Sequence, residues 1–381
     1  MKRKVCVIYG GRSGEHEVSV TSAESVINAL DRNRYEVRAM AITRSGKWID
    51  DILPQDYRGK YLGGRNYAQL SEETGEIIVG KQEVGGIDEV SSDYPNIVGP
   101  RSDPGDTPVV LPILHGPFGE DGTIQGMLEM MDLPYIGAGV LGSALAMDKA
   151  AAKYMCLAYG IPVVEFIDFI RPQWVSDQKS VVEAIEKNLE YPCFVKPANL
   201  GSSVGITKVH GGDELCDAIE QAFRYDNKIL VEQALDCREI ECSVLGNDEP
   251  DVSVAGEIIP CNEYYDYEAK YLDNRSELII PARIDIEIMG EVQGIAVNAF
   301  KALNCSGMAR ADFFIEKESN EVFFNELNTI PGFTSISMYA KLWEASGLPY
   351  SELLDTLIEL AVERYEEKQR IHGNILQPKK S

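Results

Sequence analysis

The spacing of apolar and polar residues changes period several times along the chain, and each change marks an element. The run VCVIY at residues 5–9 has no polar interruption, the pattern of a strand buried on both faces of a parallel sheet. GGRSGEHEVSVTSA follows, after which SAESVINAL repeats its apolar residues at helical spacing. Strand, glycine turn and helix in that order put a helix N-terminus at the carboxyl end of a sheet, where open α/β folds bind ligands. The turn lacks G-x-G-x-x-G spacing, which counts against a dinucleotide site. YEVRAMAIT continues the βαβ pattern, and the polar stretch from about 50 to 107 reads as an insertion or hairpin region. PVVLPILHGPFGEDGTIQGMLEMMDLPYIGAG adds a buried strand, a second glycine-rich loop and a helix, which completes a first domain near 137–145.

From LGSALAMDKAAAKYMCLAYGIPVVEF onward the pattern becomes helix, strand and helix. YPCFVKPANLGSSVGITKV then reads as two apolar strands flanking a loop at 197–205. Its GSSVG offers backbone N–H groups and two hydroxyls, chemistry suited to phosphate oxygens, although a plain Gly-Ser hairpin turn has the same composition. It is not a Walker A loop, because Lys196 precedes the glycines. KILVEQALDCREIECSVLG gives a strand ending in Glu232 and another carrying Glu239 and Glu241. EYYDYEAKYLDNRS is a long connection of the kind that forms lids or disordered insertions. An amphipathic helix around 350–368 ends the pattern.

Within ARADFFIEKESNEVFFNELN, two apolar runs flank a polar turn centred on Ser319. Symmetric pairing about that turn sets Asp312 opposite Glu326 and Arg310 opposite Asn328, with Phe313, Ile315, Phe323 and Leu327 on the other face. Like charges directly opposed destabilise a strand pair. At about 4 Å the repulsion is about 1 kcal/mol in water and about 4 kcal/mol at an effective dielectric near 20. Two readings stand: a divalent cation compensates the pair, or the face is solvated and the register differs by one. A cation held by two carboxylates and an amide oxygen would be Mg²⁺ or Mn²⁺, because zinc prefers imidazole and thiolate.

Charge narrows the partners. With 36 basic and 61 acidic residues the net charge is −25, which argues against a nucleic-acid or anionic-membrane surface and leaves any anionic ligand to a few placed cations. Eight scattered cysteines without a C-x-x-C pair, and only four histidines, argue against a zinc site or a disulfide framework. The apolar run after the basic start is too short for a signal-peptide core, and no segment approaches a transmembrane span, so a cytoplasmic protein is expected.

GGRSGEHEVSV, LHGPFGEDGTIQGMLE, MDK, VKPANLGSSVG, YDYEAKY, RADFF and NELNTIPGFTS occur in that order. Together they closely resemble the D-alanine:D-alanine ligase family of the ATP-grasp superfamily, over nearly the whole chain except 50–107 and the C-terminal tail. The resemblance implies α/β and α+β domains in a three-domain ATP-grasp architecture with an N-terminal parallel-sheet domain. Residues 1–137 would form the substrate-binding domain, 138–236 the central one, and 237–381 the C-terminal one with lid loop and metal site. It implies ATP and two Mg²⁺ (or Mn²⁺) as cofactors, D-alanine as substrate, an acyl-phosphate intermediate, and a homodimer formed through the N-terminal domain.

The same resemblance assigns residues. Lys149, Lys196 and Lys270 match lysines that hold ATP phosphates, beside the loop of Gly201, Ser202 and Ser203. Glu232 and the Leu235 backbone match adenine contacts, and Glu239 the ribose carboxylate, with Gln233 standing where relatives often carry lysine. Asp312, Glu326 and Asn328 match the metal ligands. Glu15 matches the carboxylate that binds the first substrate's ammonium, and Ser335 and Ser337 the contacts to the second substrate's carboxylate. Arg310 and the Gly332 N–H match the oxyanion stabilisers, and His115 the histidine near the reacting carboxylate. Tyr271 belongs to a lid and to a hydrogen-bonded set with Ser202 and Glu15. Taken alone, Lys149 reads as a surface lysine, Glu15 as a helix N-terminal charge paired with Ser13, and His115 as a structural hydrogen-bonder. D-alanine:D-lactate ligases share the ATP-site residues, but relatives of that type replace the lid tyrosine, so Tyr271 favours an amine nucleophile. Further readings are a catalytically silent ATP-binding regulator and a nicotinamide-dependent dehydrogenase.

Overall fold

The computed structural model describes residues 2–62, 97, 107–259 and 277–376, with side chains described to 371. Among these residues the strands form three sheets. In the first, β1 (Arg3–Gly10) runs parallel to β2 (Tyr35–Ile42), and a two-residue β3 (Trp48–Ile49) adds an antiparallel edge beside β2. On its other side β1 pairs in parallel with β4 (Val109–Ile113). Val5, Val7 and Tyr9 enter one hydrophobic cluster while Cys6 and Ile8 enter another. Burial on both faces explains why VCVIY carries no polar residue. The helix His16–Ala29 covers the first face, joined there by Trp343, Leu354, Leu357 and Ile358 from the far end of the chain.

The second sheet contains β5 (Phe166–Ile170), β6 (Cys193–Pro197), β7 (Thr207–Val209) and β8 (Lys228–Gln233), in the order β5-β8-β6-β7. All its pairings are antiparallel. Its core holds Trp174, Ile185 and Val195 together with Leu215 and Ile219 of the helix Gly212–Ala222. The two strands expected around the Gly-Ser loop are β6 and β7.

The third sheet, β11-β10-β9-β12-β13, is also antiparallel. It comprises β9 (Cys237–Gly246), β10 (Asp251–Ile259), β11 (Glu277–Ile279), β12 (Gly307–Glu316) and β13 (Val322–Asn328). The helix Ile286–Ala302 buries Val292, Ala296, Ala299 and Phe300 against it. The second and third sheets are joined where Phe324 donates its N–H to the Pro162 carbonyl at 2.8 Å and Lys317 donates to the Asp236 carbonyl at 3.0 Å.

The hairpin pairs as expected from Arg310↔Asn328 to Asp312↔Glu326, then shifts by one residue. Beyond the shift Phe313 faces Phe324, and Phe324 is buried in place of the expected Phe323. An extra residue on one strand forms a β-bulge, and every side chain after it changes face. The rings of Phe313 and Phe324 meet edge to face, 6.0 Å between centroids. Among the described residues no helix is long and apolar enough to cross a membrane.

Candidate functional site

The carboxyl end of the first sheet carries two loops. Glu15 occupies the N-cap position of the helix His16–Ala29, yet its side chain caps nothing. Instead its carboxylate accepts a hydrogen bond from Ser202 Oγ in the Gly-Ser loop, while Ser13 Oγ accepts the Glu15 N–H at 3.2 Å. Ser202 and Ser203 lie at left-handed φ of 52° and 57°. That conformation costs a non-glycine residue about 1–2 kcal/mol, so the contacts made there have to offset it. Gly116 closes the other side of Glu15: at φ +73°, a Cβ on it would stand 2.7 Å from Glu15 Oε2.

His115 is buried, and burial lowers its pKa, so it stays neutral. Its Nδ1 lies 2.9 Å from the Ile330 carbonyl, which only accepts, so Nδ1 carries the proton. Nε2 then accepts from Ser22 Oγ at 3.2 Å. Glu120 holds the other backbone group of the same residue, accepting the Ile330 N–H at 3.2 Å, and it also accepts the Gly116 N–H at 2.6 Å. Burial, then the field of Glu15, pushes the Glu120 pKa up to about 8. These bonds fix the turn after β13 against the first sheet. The Ser335 N–H donates to Ser25 Oγ at 3.2 Å, and Ser337 Oγ bonds Thr334 Oγ1 at 2.7 Å. A Cβ added at Gly332 would stand 3.3 Å from Ser337 Oγ.

Three adjacent strands bring Glu241, Asp312 and Glu326 into register. The opposed charges are balanced by protein cations. Arg310 donates through Nε and Nη2 to both oxygens of Asp312 at 2.7 Å and lies 3.1 Å from Glu241. Lys149 lies 3.0 Å from Glu326 Oε2 and donates to the Leu200 carbonyl at 2.8 Å. Lys149 is therefore no surface lysine: it ties the base of the Gly-Ser loop to the hairpin. Asn328 Nδ2 donates to Asp312 Oδ2 at 3.0 Å. A cavity of about 40 Å³ opens beside this cluster, lined by Glu239, Glu241, Asp312, Asn325 and Glu326 among others. Among the described residues no three His, Cys, Asp or Glu side chains are arranged to hold a metal ion as they stand.

One helical turn beyond Lys149, Lys153 faces Glu232 of β8. Glu232 bridges Lys153 and Lys196, one through each carboxylate oxygen. Burial alone would raise the Glu232 pKa, but the two ammonium groups outweigh it and hold the carboxyl at about 2. Gln233 turns away, its Oε1 accepting the Glu190 N–H at 2.7 Å. Leu235 is half-buried on the connection to β9, and Glu239 lies on β9 opposite Phe314.

The structure thus links Glu15 to Ser202 beside Gly201, Lys149 to Glu326, and Arg310 and Asn328 to Asp312, while His115 holds Ile330 ahead of the turn that carries Gly332, Ser335 and Ser337. Lys196 and Glu232 are one turn of helix from Lys149 through Lys153. Lys270 and Tyr271 lie outside the described residues. Sequence reasoning missed Glu120, Glu241 and Lys153. Period-four spacing from Lys149 pointed to Lys153, whereas the partners of Glu120 and Glu241 are set by long-range register and left no local signal.

Residues 4–138 match the family described as D-ala D-ala ligase N-terminus, and residues 155–359 that described as D-ala D-ala ligase C-terminus. A D-alanine–D-alanine ligase of Chloroherpeton thalassium is 48% identical over 97% of this chain and 98% of its own length. Two solved structures align over almost everything. The D-alanine-D-alanine ligase of Coxiella burnetii has a TM-score of 0.77 and 35% identity, covering 98% of each chain. The VanG D-Ala:D-Ser ligase of Enterococcus faecalis has a TM-score of 0.76 and 36% identity, covering 95% of this chain and 100% of its own. With both family halves matched in order and full-length relatives near half identity, this chain belongs to the D-alanine:D-alanine ligase family.

Proposed function

We propose that the protein joins two molecules of D-alanine at the expense of ATP, making the dipeptide used in peptidoglycan precursors. The observation that supports this reading is the set of contacts pairing Glu15 with Ser202, Lys149 with Glu326, Lys196 with Glu232 and Arg310 with Asp312, residues that the family resemblance assigns to the ammonium, the phosphates, the adenine, the metal and the oxyanion. A carboxylate is a poor electrophile, so the reaction needs activation. The first D-alanine binds through its ammonium to Glu15, and its carboxylate attacks the γ-phosphorus of ATP, releasing ADP and leaving an acyl phosphate. The amine of the second D-alanine, having lost a proton, attacks the acyl carbon; phosphate then leaves. Arg310 and the Gly332 N–H stabilise the tetrahedral oxyanion. His115 and Glu120, by holding the Ile330 carbonyl and N–H respectively, position the turn that carries that N–H. Ser335 and Ser337 bind the second carboxylate, and Lys270 and Tyr271 complete the site by family resemblance.

Asp312, Glu326 and Asn328 offer only hard oxygen ligands, a donor set that fits Mg²⁺ or Mn²⁺. When bound, the metal neutralises charge on the phosphates. Arg310 and Lys149 balance the same carboxylates here, so the hairpin stays neutralised with either partner. Glu232 and the Leu235 backbone take adenine and Glu239 the ribose. The domain division 1–137, 138–236 and 237–381, a cytoplasmic location and a homodimer through the N-terminal domain belong to the same proposal.

The test is direct. Purified protein with D-alanine, ATP and Mg²⁺ is expected to release dipeptide, ADP and phosphate in equal amounts by mass spectrometry and phosphate assay. ATP turnover without dipeptide, or preferential product from added D-lactate or D-serine, would overturn it.

A further inference from the structure

Glu232 is 1% exposed and carries a cation on each oxygen, but the two cations are not equivalent. Lys153 is 1% exposed and projects from the helix Lys149–Ala158, whereas Lys196 lies on β6 at 9% exposure. Lys196 is thus the cation on the crevice side and, in the ligase reading, the one drawn to the triphosphate. When it turns, Glu232 keeps a counter-charge in direct contact only through Lys153. Lys149, one helical turn away, also acts on this carboxylate. A buried carboxylate stripped of its partners takes up a proton and becomes a hydrogen-bond donor. The 6-amino group of adenine donates, whereas the 6-oxo group of hypoxanthine or guanine accepts.

We propose, building on the ligase reading above, that Lys153 is a specificity-determining residue of the nucleotide site: seated behind Glu232, it keeps that carboxylate an acceptor for the adenine 6-amino group while Lys196 engages the phosphates. Lys153 acts through Glu232 and touches no substrate. Burial lowers the Lys153 pKa, and the contact with Glu232 opposes that shift, as expected of an ammonium retained for one partner.

The experiment compares full-length wild type, Lys153→Met and Lys153→Arg, each shown to be folded by a cooperative thermal melt. It measures the affinity for Mg-ADP and Mg-IDP by calorimetry and kcat/KM for ATP and ITP in dipeptide synthesis. Wild type is expected to prefer the adenine nucleotide by roughly tenfold to a hundredfold, the discrimination of one buried polar contact. Lys153→Met is expected to bring that ratio to within about threefold of unity, with Lys153→Arg restoring most of it. Should Lys153→Met fail to fold, Lys153→Gln, which keeps a donor to Glu232 without the charge, is expected to lose selectivity in the same direction. A folded Met or Gln variant that weakens both nucleotides equally and keeps the wild-type ratio would overturn the proposal, as would a wild type with no preference. The ADP/IDP ratio comes from binding and needs no turnover, so a wild type that discriminates ADP from IDP yet makes no dipeptide would sink the ligase reading and leave the role of Lys153 standing.

Discussion

Replacing Arg310 by lysine keeps the charge and removes the fork. The guanidinium makes two 2.7 Å bonds to Asp312 and sits 3.1 Å from Glu241, with none of the three side chains more than 17% exposed. An ammonium is a single-point donor on a shorter reach, so at least one of the two bonds to Asp312 is lost. A hydrogen bond to a charged group contributes about 1.5–3 kcal/mol, which sets the expected stability loss for Arg310→Lys. Arg310→Met goes further: it leaves Asp312 and Glu241 facing each other at low exposure without their shared cation, and about 3–5 kcal/mol is expected. Urea unfolding reads both as a lower midpoint at constant m. The same guanidinium is assigned to the developing oxyanion, so kcat for dipeptide synthesis is expected to fall about 10²- to 10³-fold in Arg310→Lys under conditions where the protein is fully folded. Arg310→Met within about 1 kcal/mol of wild type would refute the packing argument. Unchanged kcat in Arg310→Lys would refute the catalytic one.

Glu326→Gln removes one anion from the hairpin while keeping its shape; Mg²⁺-dependent turnover is expected to fall by orders of magnitude with circular dichroism unchanged, and near-normal turnover at the same Mg²⁺ would remove Glu326 from the metal site. Ser202→Ala deletes the hydroxyl held by Glu15 and is expected to lower kcat/KM for D-alanine about fivefold to thirtyfold, mostly through KM, whereas unchanged kinetics would detach Ser202 from the ammonium site. His115 has a folded pKa below its ordinary 6.5, so the unfolded chain binds more protons below that value and stability falls as pH drops through it. Glu120, raised to about 8 from 4.5, acts with the opposite sign between those values, which is why the comparison is made by difference. His115→Gln should lose less stability between pH 7 and 5 than wild type, and parallel pH profiles in urea unfolding would contradict the buried neutral histidine.

Much of this arrangement was legible locally. The period of two, counted from a turn at Ser319, paired Asp312 with Glu326 and Arg310 with Asn328. It also put Arg310 and Asp312 on one face of one strand, which already contained their ion pair. The bulge after Asp312 was not legible, because an extra residue in β13 changes no local pattern and its effect shows only in which of Phe323 and Phe324 fills the core. Glu120 reaches a peptide 210 positions away, and Glu241 meets Asp312 through a strand pairing that no turn dictates. The pattern around the hairpin gave no sign of Lys149, whose place beside Glu326 depends on how the helix Lys149–Ala158 packs. Local chemistry named the participants; long-range register decided who neutralises whom.

The most direct test of acyl transfer through a phosphorylated D-alanine follows one oxygen atom. D-alanine carrying ¹⁸O in its carboxylate is incubated with the enzyme, ATP and Mg²⁺, and the released phosphate is examined by ³¹P NMR for the isotope shift. Activation of the carboxylate by the γ-phosphoryl group predicts one ¹⁸O in phosphate for each dipeptide formed; dipeptide appearing with unlabelled phosphate would contradict it.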